Sequence, residues 1–248
     1  MDTNTIITGA NRGIGLAMVK KFAKNGCNVW ACARKQNAEF EAEMGALAEQ
    51  NHVWIKPVYF DLSHEENIKN GFMCIYNDKK PIHTLINNAG IVYNEIFQMT
   101  PIGKIMELFN INVFSVMSLT QLVLKVFTKQ KYGNIINITS TAGITPYASN
   151  SCYGSTKAAV ISFTKSLAIE VAAFGNIRVN AVAPGPTDTD MLTGLPGKYA
   201  NTILNNCAMD RLAQPLEIAN VAYFLSSNEA SFVNGQVIRV DGGECYGK

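Results

Sequence analysis

Short apolar runs alternate with longer amphipathic ones along almost the whole chain, and that rhythm limits the possible fold more than any other feature. The strand-like runs are Thr5–Thr8, Asn28–Ala33, Val53–Phe60, Thr84–Asn87, Asn134–Thr139, Ile177–Ala183 and Val237–Val240. Helical patterns fall between them at Leu16–Asn25, Asn37–Gln50, Glu65–Asn77, Ile102–Lys131, Tyr153–Phe174 and Pro215–Leu225. Strands joined through helices run parallel, and a parallel sheet needs both faces covered, so the pattern predicts an α/β fold with a single doubly wound sheet. With 248 residues and 48% hydrophobic content, the chain can fill such a core as one domain, and no linker, repeat or low-complexity tract divides it.

Charge and cysteine usage exclude several functions. The net charge is +2, and no Lys/Arg tract is longer than a pair, which argues against a nucleic-acid partner. The longest charge-free helical stretch, Leu108–Leu124, is broken by Asn110, Asn112, Ser115, Ser118, Thr120 and Gln121, so it reads as a buried helix and not as a membrane span. The chain enters its first strand at once, without a basic segment leading into an apolar one, so no export signal is expected and the location is read as cytoplasmic. Six cysteines are scattered without C-x-x-C pairs or nearby histidines, which predicts reduced thiols and no metal site. Cys152 abuts Tyr153 and is read as an inert small residue.

Doubly wound sheets bind ligands beyond the carboxyl ends of their strands, and the first strand runs into Thr8-Gly-Ala-Asn-Arg-Gly-Ile-Gly15. Glycines there let a pyrophosphate reach the N-terminus of the following helix, where free N–H groups and the dipole favour anions. The spacing is G-x-x-x-G-x-G, and its place between a strand and a helix makes Gly9, Asn11, Arg12, Gly13, Ile14 and Gly15 candidate dinucleotide contacts in a Rossmann-type fold. The second strand ends Ala31-Cys-Ala-Arg-Lys35, with no carboxylate to hold a ribose 2′-hydroxyl. Arg34, with Arg12, can instead clamp a 2′-phosphate, so the expected cofactor is NADP(H).

A second constellation lies at Ser140–Lys157. If Tyr153 opens a helix, Lys157 stands one turn away on the same face, where its charge can stabilise a phenolate. Free tyrosine titrates near pH ~10, and a lowered pKa would suit it to protonate an alkoxide forming from a ketone. Ser140, at the end of an apolar run, would polarise the carbonyl. Taken singly, a Tyr-x-x-x-Lys pair also fits an exposed helix face, and Ser140 could merely cap a strand end.

Together these motifs resemble the short-chain dehydrogenase/reductase family over essentially the whole chain. Thr8–Gly15 is similar to that family's cofactor loop, Asp61-Leu62 to its adenine contact, and Asn87-Asn88-Ala89-Gly90 to the turn after its fourth strand. Asn112, Ser140, Tyr153 and Lys157 match its catalytic tetrad, and Pro184-Gly185 with Thr187 and Thr189 match the segment that holds the nicotinamide carboxamide. The resemblance implies NADPH-dependent reduction of a carbonyl to a secondary alcohol. Ser140 would bind the carbonyl oxygen and Tyr153 would donate the proton. Lys157 would hold the nicotinamide ribose and depress the tyrosine pKa, and Asn112 would hold a relay water.

Pro184–Met191, Arg211–Ile218 and Asn234–Gly243 look most like the 3-oxoacyl-[acyl-carrier-protein] reductase subgroup, so the substrate is expected to be a 3-oxoacyl thioester, with acyl carrier protein as a possible partner. Ketone, ketosugar and steroid dehydrogenases share the same tail, and a nucleotide-sensing protein without turnover is the alternative of another class. Met191–Cys207 is read as a mobile lid. Carrier docking would use Lys125, Lys129 and Lys131, whereas the other position expected to be basic is Phe174. Ile102–Lys131 and Ala158–Phe174 are apolar nearly all round, and the family pairs these helices across a two-fold axis, so a homotetramer is expected.

Overall fold

A computed structural model of the chain describes residues 3–190 and 207–244. Among them are the strands β1 (Asn4–Thr8), β2 (Asn28–Ala33), β3 (Ile55–Tyr59), β4 (Thr84–Asn87), β5 (Tyr132–Ile138), β6 (Asn176–Pro184) and β7 (Val237–Val240). They form one parallel sheet in the order β3-β2-β1-β4-β5-β6-β7. The order reverses beside β1, and the mouths of β1 and β4 therefore open into the crevice where such sheets take ligands.

The α-helices among the described residues are α1 (Gly13–Lys24), α2 (Ala38–Asn51), α3 (Glu65–Tyr76), α4 (Ile102–Phe109), α5 (Ser115–Gln130), α6 (Ser151–Val171) and α7 (Pro215–Ser226). On one face α1, α2 and α7 bury Met18, Phe22, Met44 and Leu225 against Ile7, Val29 and Ile136. On the other, α3, α5 and α6 bury Phe72, Phe127 and Leu167 against Trp30, Leu85 and Val179. Strand residues alternate between these two cores because successive side chains point to opposite faces.

The long helix expected over Ile102–Lys131 is present but not regular. At Asn110–Phe114 it widens into a π-turn: the Ser115 N–H bonds to the Asn110 carbonyl, and Ser115 Oγ donates to the freed Ile111 carbonyl at 2.5 Å. Nothing in the apolar pattern announces this insertion. The whole span has 29 residues, and an 18-residue window within it reaches a mean hydropathy of 1.5, long and apolar enough to cross a membrane. It is nevertheless a core helix, since Leu108, Leu119, Val123 and Phe127 are buried within the fold.

Below the crevice a chain of side-chain hydrogen bonds joins helix to strand to strand to helix. Asn87 Nδ2 donates to Thr120 Oγ1 at 3.0 Å and to Asn137 Oδ1 at 2.8 Å, and Asn137 Nδ2 donates to Thr164 Oγ1 at 2.8 Å. All four residues are buried, so each unpaired donor or acceptor there would cost about 1–3 kcal/mol. The pairing holds the ends of β4 and β5, and hence the loops that follow them, in one register.

Candidate active site

The cofactor side is built by backbone. Gly9 and Gly13 have positive φ (66° and 52°), and a Cβ on Gly15 would lie 2.0 Å from the Gly9 carbonyl oxygen. Only glycine lets β1 turn this tightly into α1. Thr8 Oγ1 receives the N–H groups of both Asn88 and Ala89 at 3.0 Å, and Asn88 Nδ2 donates back to the Thr8 carbonyl at 2.9 Å. The glycine loop and the Asn88–Gly90 turn are thereby locked together. Arg12 caps α1 in an extended conformation with no side-chain hydrogen bond to the first turn, so N–H groups at this helix end remain available to an anion. Ile14 packs against the core under the loop, Ala10 N–H is tied to the Cys32 carbonyl, and the exposed Asn11 lies at the loop's tip.

The remaining cofactor candidates line the same edge. Phe60 N–H bonds the Ala33 carbonyl, which sets Arg34 beside Asp61. The N–H of Ser63 holds the Asp61 carboxyl below the usual carboxylate range; partial burial opposes this, and the charges of Arg34 and His64 add to it. Leu62 is half-buried against the α3–α5 core. Past β6, Gly185 packs so closely on Asp241 that a Cβ there would lie 2.8 Å from the Asp241 Cα. Thr187 Oγ1 then donates to the Gly185 carbonyl, and Thr189 reaches the glycine loop, its Cγ2 3.2 Å from where a Gly13 Cβ would stand. Arg12 pairs with Asp190 at 3.5 Å across this gap. The expected lid, Met191–Cys207, lies outside the described residues except for Cys207, which is buried.

A dinucleotide fits this edge: its pyrophosphate would meet the glycine backbone and the α1 N-terminus, the adenosine would lie by Asp61 and Leu62, and any 2′-phosphate would face Arg34.

The catalytic side is built by side chains, of which Lys157 is buried and Ser140 and Tyr153 are half-buried. Gly143 and Gly154 interlock the turn after β5 with α6, since a Cβ on Gly143 would sit 2.8 Å from the Ala158 nitrogen and one on Gly154 would sit 2.6 Å from the Ala142 carbonyl oxygen. That contact brings the Ser140 hydroxyl into hydrogen-bonding reach of the Tyr153 phenol. Tyr153 lies in the first turn of α6, and Lys157 Nζ sits 5.7 Å from the centroid of its ring while donating to the Ile138 carbonyl at 3.1 Å. A Cβ on Gly90 would stand 3.5 Å from the same ammonium, so the Asn88–Gly90 turn joins the two sides of the site.

Two expectations from the sequence change here. Burial raises the Tyr153 phenol to about 12, with the Ser140 hydrogen bond pulling it down, and burial lowers Lys157 to about 8. The depression expected from Lys157 is not what acts on the phenol: the ammonium lies against the ring face, while desolvation acts on the hydroxyl itself. Asn112 also differs. Its Oδ1 takes the Ile91 N–H at 2.9 Å, and its Nδ2 donates to the Ile91 carbonyl at 2.8 Å and to Thr156 Oγ1 at 3.1 Å. Both amide N–H groups are thus engaged, so the Asn112 side chain braces the Gly90 turn against α6, and the residue could meet the expected water only through its oxygens.

Sequence reasoning missed a contact between the Ser140–Tyr153 loop and the C-terminal segment. Tyr147, on the loop between Ser140 and Tyr153, donates its hydroxyl to Glu244 of the C-terminal segment. Burial, then the bond and charge of Glu244, pushes the Tyr147 phenol up. Arg239 pairs with Asp241 at 2.6 Å and lies 3.7 Å from Glu244. No spacing rule links positions nearly a hundred residues apart, which is why this contact was invisible beforehand. Among the described residues no cluster of His, Cys, Asp or Glu could hold a metal ion.

A doubly wound sheet with a glycine cradle at its switch point and a Ser-Tyr-Lys corner beside it defines an oxidoreductase that uses a nicotinamide dinucleotide. Comparison with known proteins agrees. Residues 9–244 match the profile of the family described as enoyl-(acyl carrier protein) reductase. The 3-oxoacyl-[acyl-carrier-protein] reductase of Aquifex aeolicus is 37% identical over 96% of both chains. The 3alpha-hydroxysteroid dehydrogenase of Mediterraneibacter gnavus is 34% identical over 96% of this chain and 94% of its own. A crystal structure of 3-oxoacyl-[acyl-carrier protein] reductase from Brucella melitensis superimposes with a TM-score of 0.87 at 30% identity, covering 99% of this chain and 92% of that one. The chain belongs to the short-chain dehydrogenase/reductase family.

Proposed function

We propose that the protein is an NADPH-dependent reductase of 3-oxoacyl thioesters, acting as a homotetramer in the cytoplasm. The observation that carries the reading is the corner itself: the Ser140 hydroxyl on the Tyr153 phenol, with the Lys157 ammonium behind the ring. Bound in the cradle, NADPH would supply the hydride that adds to the carbonyl carbon. Ser140 would hold the carbonyl oxygen and Tyr153 would give it a proton, leaving a secondary alcohol. At pH 7 a phenol near 12 still carries the proton it must donate, and an ammonium near 8 is still largely charged, able to stabilise the phenolate left behind. Asn112 would keep the Gly90 turn against α6, so that the two sides of the site stay in register.

Support for the cofactor assignment comes from Arg34, exposed at the end of β2 with no acidic residue beside it on that strand. NADPH should be used with a catalytic efficiency well above that for NADH, and Ala33→Asp with Arg34→Ala should shift the preference toward NADH; equal efficiencies in the wild type would contradict the assignment. Assembly is supported by exposed apolar side chains along the α4–α5 span and on α6: Ile102, Met106, Phe114 and Ile169 are 71, 67, 58 and 80% exposed. Light scattering should give a multiple of the 27.1 kDa chain at micromolar concentration. The substrate test is NADPH oxidation over a panel of carbonyl compounds. Reduction of acetoacetyl thioesters is expected, whereas turnover of small ketones or ketosugars alone would replace this reading with that of a general carbonyl reductase.

A further inference from the structure

Asn110 is not a member of the matched tetrad, yet three features of the site meet at it. Its side chain leaves the helix and donates from Nδ2 to the Ser63 carbonyl at 2.8 Å. Ser63 in turn gives both its N–H (2.8 Å) and its hydroxyl (2.7 Å) to Asp61 Oδ1, which makes the Asp61–Ser63 turn a single hydrogen-bonded unit. The backbone carbonyl of the same Asn110 receives the Ser115 N–H and so closes the π-turn. Two residues on, inside that turn, Asn112 braces Ile91 and Thr156, and Thr156 Oγ1 donates to the carbonyl of Tyr153 at 2.7 Å. A bonded path therefore runs from Asp61, through Ser63, Asn110, the π-turn, Asn112 and Thr156, to the backbone of Tyr153.

We propose that Asn110 is a positioning residue that couples the adenine end of the bound cofactor to the catalytic corner. The inference rests on the cofactor reading above. A π-turn is a local change of helical register with a regular α-helical alternative, and one that is tethered from outside is a two-state element that the tether can bias. Filling of the adenosine site fixes the Asp61–Ser63 turn, the Ser63 carbonyl holds Asn110, and the π-turn that aims Asn112 at Ile91 becomes the favoured register. Spatial continuity does not by itself establish coupling; a response at the far end does.

The test separates the two ends of the cofactor. Adenosine 2′,5′-bisphosphate carries no nicotinamide, so any effect it has on the corner must travel through the protein. Hydrogen–deuterium exchange should show that this fragment, bound to the wild type, protects the peptide around Asp61–Ser63 and also the peptides holding Ile91 and Asn110–Ser115. In Asn110→Ala the fragment should bind with a dissociation constant within about threefold of wild type and still protect Asp61–Ser63, while the distant protection is lost. In turnover, the advantage of NADPH over reduced nicotinamide mononucleotide in kcat should fall about tenfold in the variant, a coupling of about 1.4 kcal/mol. Asn110→Gln, which keeps the N–H donor, should recover part of both effects. Protection at Ile91 that is absent in the wild type, or that persists undiminished in Asn110→Ala, overturns the proposal while leaving the cofactor assignment intact. Failure of the wild type to bind the fragment at all overturns the cofactor assignment, and this inference with it.

Discussion

The cradle at β1–α1 and the corner at β5–α6 lie on either side of the Asn88–Gly90 turn, yet one is shaped by the absence of side chains and the other by their burial. In the cradle, Gly9 and Gly15 leave space that any Cβ would fill, and the ligand-facing groups are backbone N–H. In the corner, Lys157 is buried and Tyr153 is half-buried, and desolvation moves their titration in opposite directions. In the proposed reaction the first arrangement would set what binds, and the second what reacts.

Substitution should separate these two properties, and the largest effects are expected here. Gly15→Ala places a methyl group 2.0 Å from the Gly9 carbonyl oxygen, so the loop must move and NADPH affinity should fall at least about 100-fold, a loss of about 2.7 kcal/mol. Tyr153→Phe should leave that affinity within about twofold while lowering turnover by about 10²–10⁴, the range for loss of a general acid. Fluorescence titration with NADPH and steady-state rates on the two variants check the contrast. If Tyr153→Phe weakened binding as much as Gly15→Ala, the division between cradle and corner would fail.

The same contrast explains what the sequence revealed. The strands Asn28–Ala33, Thr84–Asn87 and Val237–Val240 emerge with their expected bounds, because each is a short apolar run closed by residues that stop it. Residues such as Gly9, Gly13, Ser140, Tyr153 and Lys157 were legible because their chemistry requires particular types at short spacings. The π-turn was not, since a one-residue change of helical register leaves the apolar pattern of Ile102–Lys131 intact. Nor was the raised pKa of Tyr153, which depends on how much of the phenol the folded chain covers and not on which residues stand near it in sequence. Tyr147 and Glu244 carry no local signal at all, and only the closure of the C-terminal segment brings them together.

An intermediate effect should appear in stability, with a sign that sets Lys157 apart from the cradle. Its folded-state pKa, about 8, lies below the ordinary lysine value near 10.5, so between those values the unfolded chain binds more protons than the folded one. Stability from this group therefore rises as pH increases from about 8 to about 10.5, and below pH 8 the buried ammonium is a cost. Lys157→Met removes that cost and should stabilise the protein at pH 7 by about 2 kcal/mol after allowing for the lost bond to Ile138, even as activity collapses. The gain should fade by pH 10.5, where the wild-type amine is neutral in the folded state and half-protonated in the unfolded one, so that burial no longer costs an ammonium. Denaturant unfolding at pH 7 and pH 10 measures both points; a variant less stable than wild type at pH 7 would show that the ammonium is better compensated than its burial implies.

The smallest expected effect concerns the outside of the molecule, where α5 and α6 end differently. Lys125 and Lys129, with Lys69 of α3, border an apolar groove over Phe72, Met73, Tyr76, Leu122 and Val126, whereas the end of α6 presents Phe174. No acidic residue lies within Ser115–Lys131, so the α5 side of this groove is cationic throughout. Exposed lysines act mainly by steering association, an effect screened within about 10 Å at 0.1 M salt, so their contribution should be modest and salt-dependent. Lys125→Glu with Lys129→Glu should raise KM for a 3-oxoacyl substrate on acyl carrier protein by about three- to tenfold at low salt. It should leave KM for the coenzyme A or short thioester analogue unchanged, because neither presents an acidic protein surface. At 0.5 M salt the difference between variant and wild type should vanish. An equal rise for all three substrates would place the defect in the catalytic corner and remove the groove from carrier recognition. A rise for the carrier alone, abolished by salt, would assign docking to the α5 end and leave α6, with its Phe174, as the weak half of the surface.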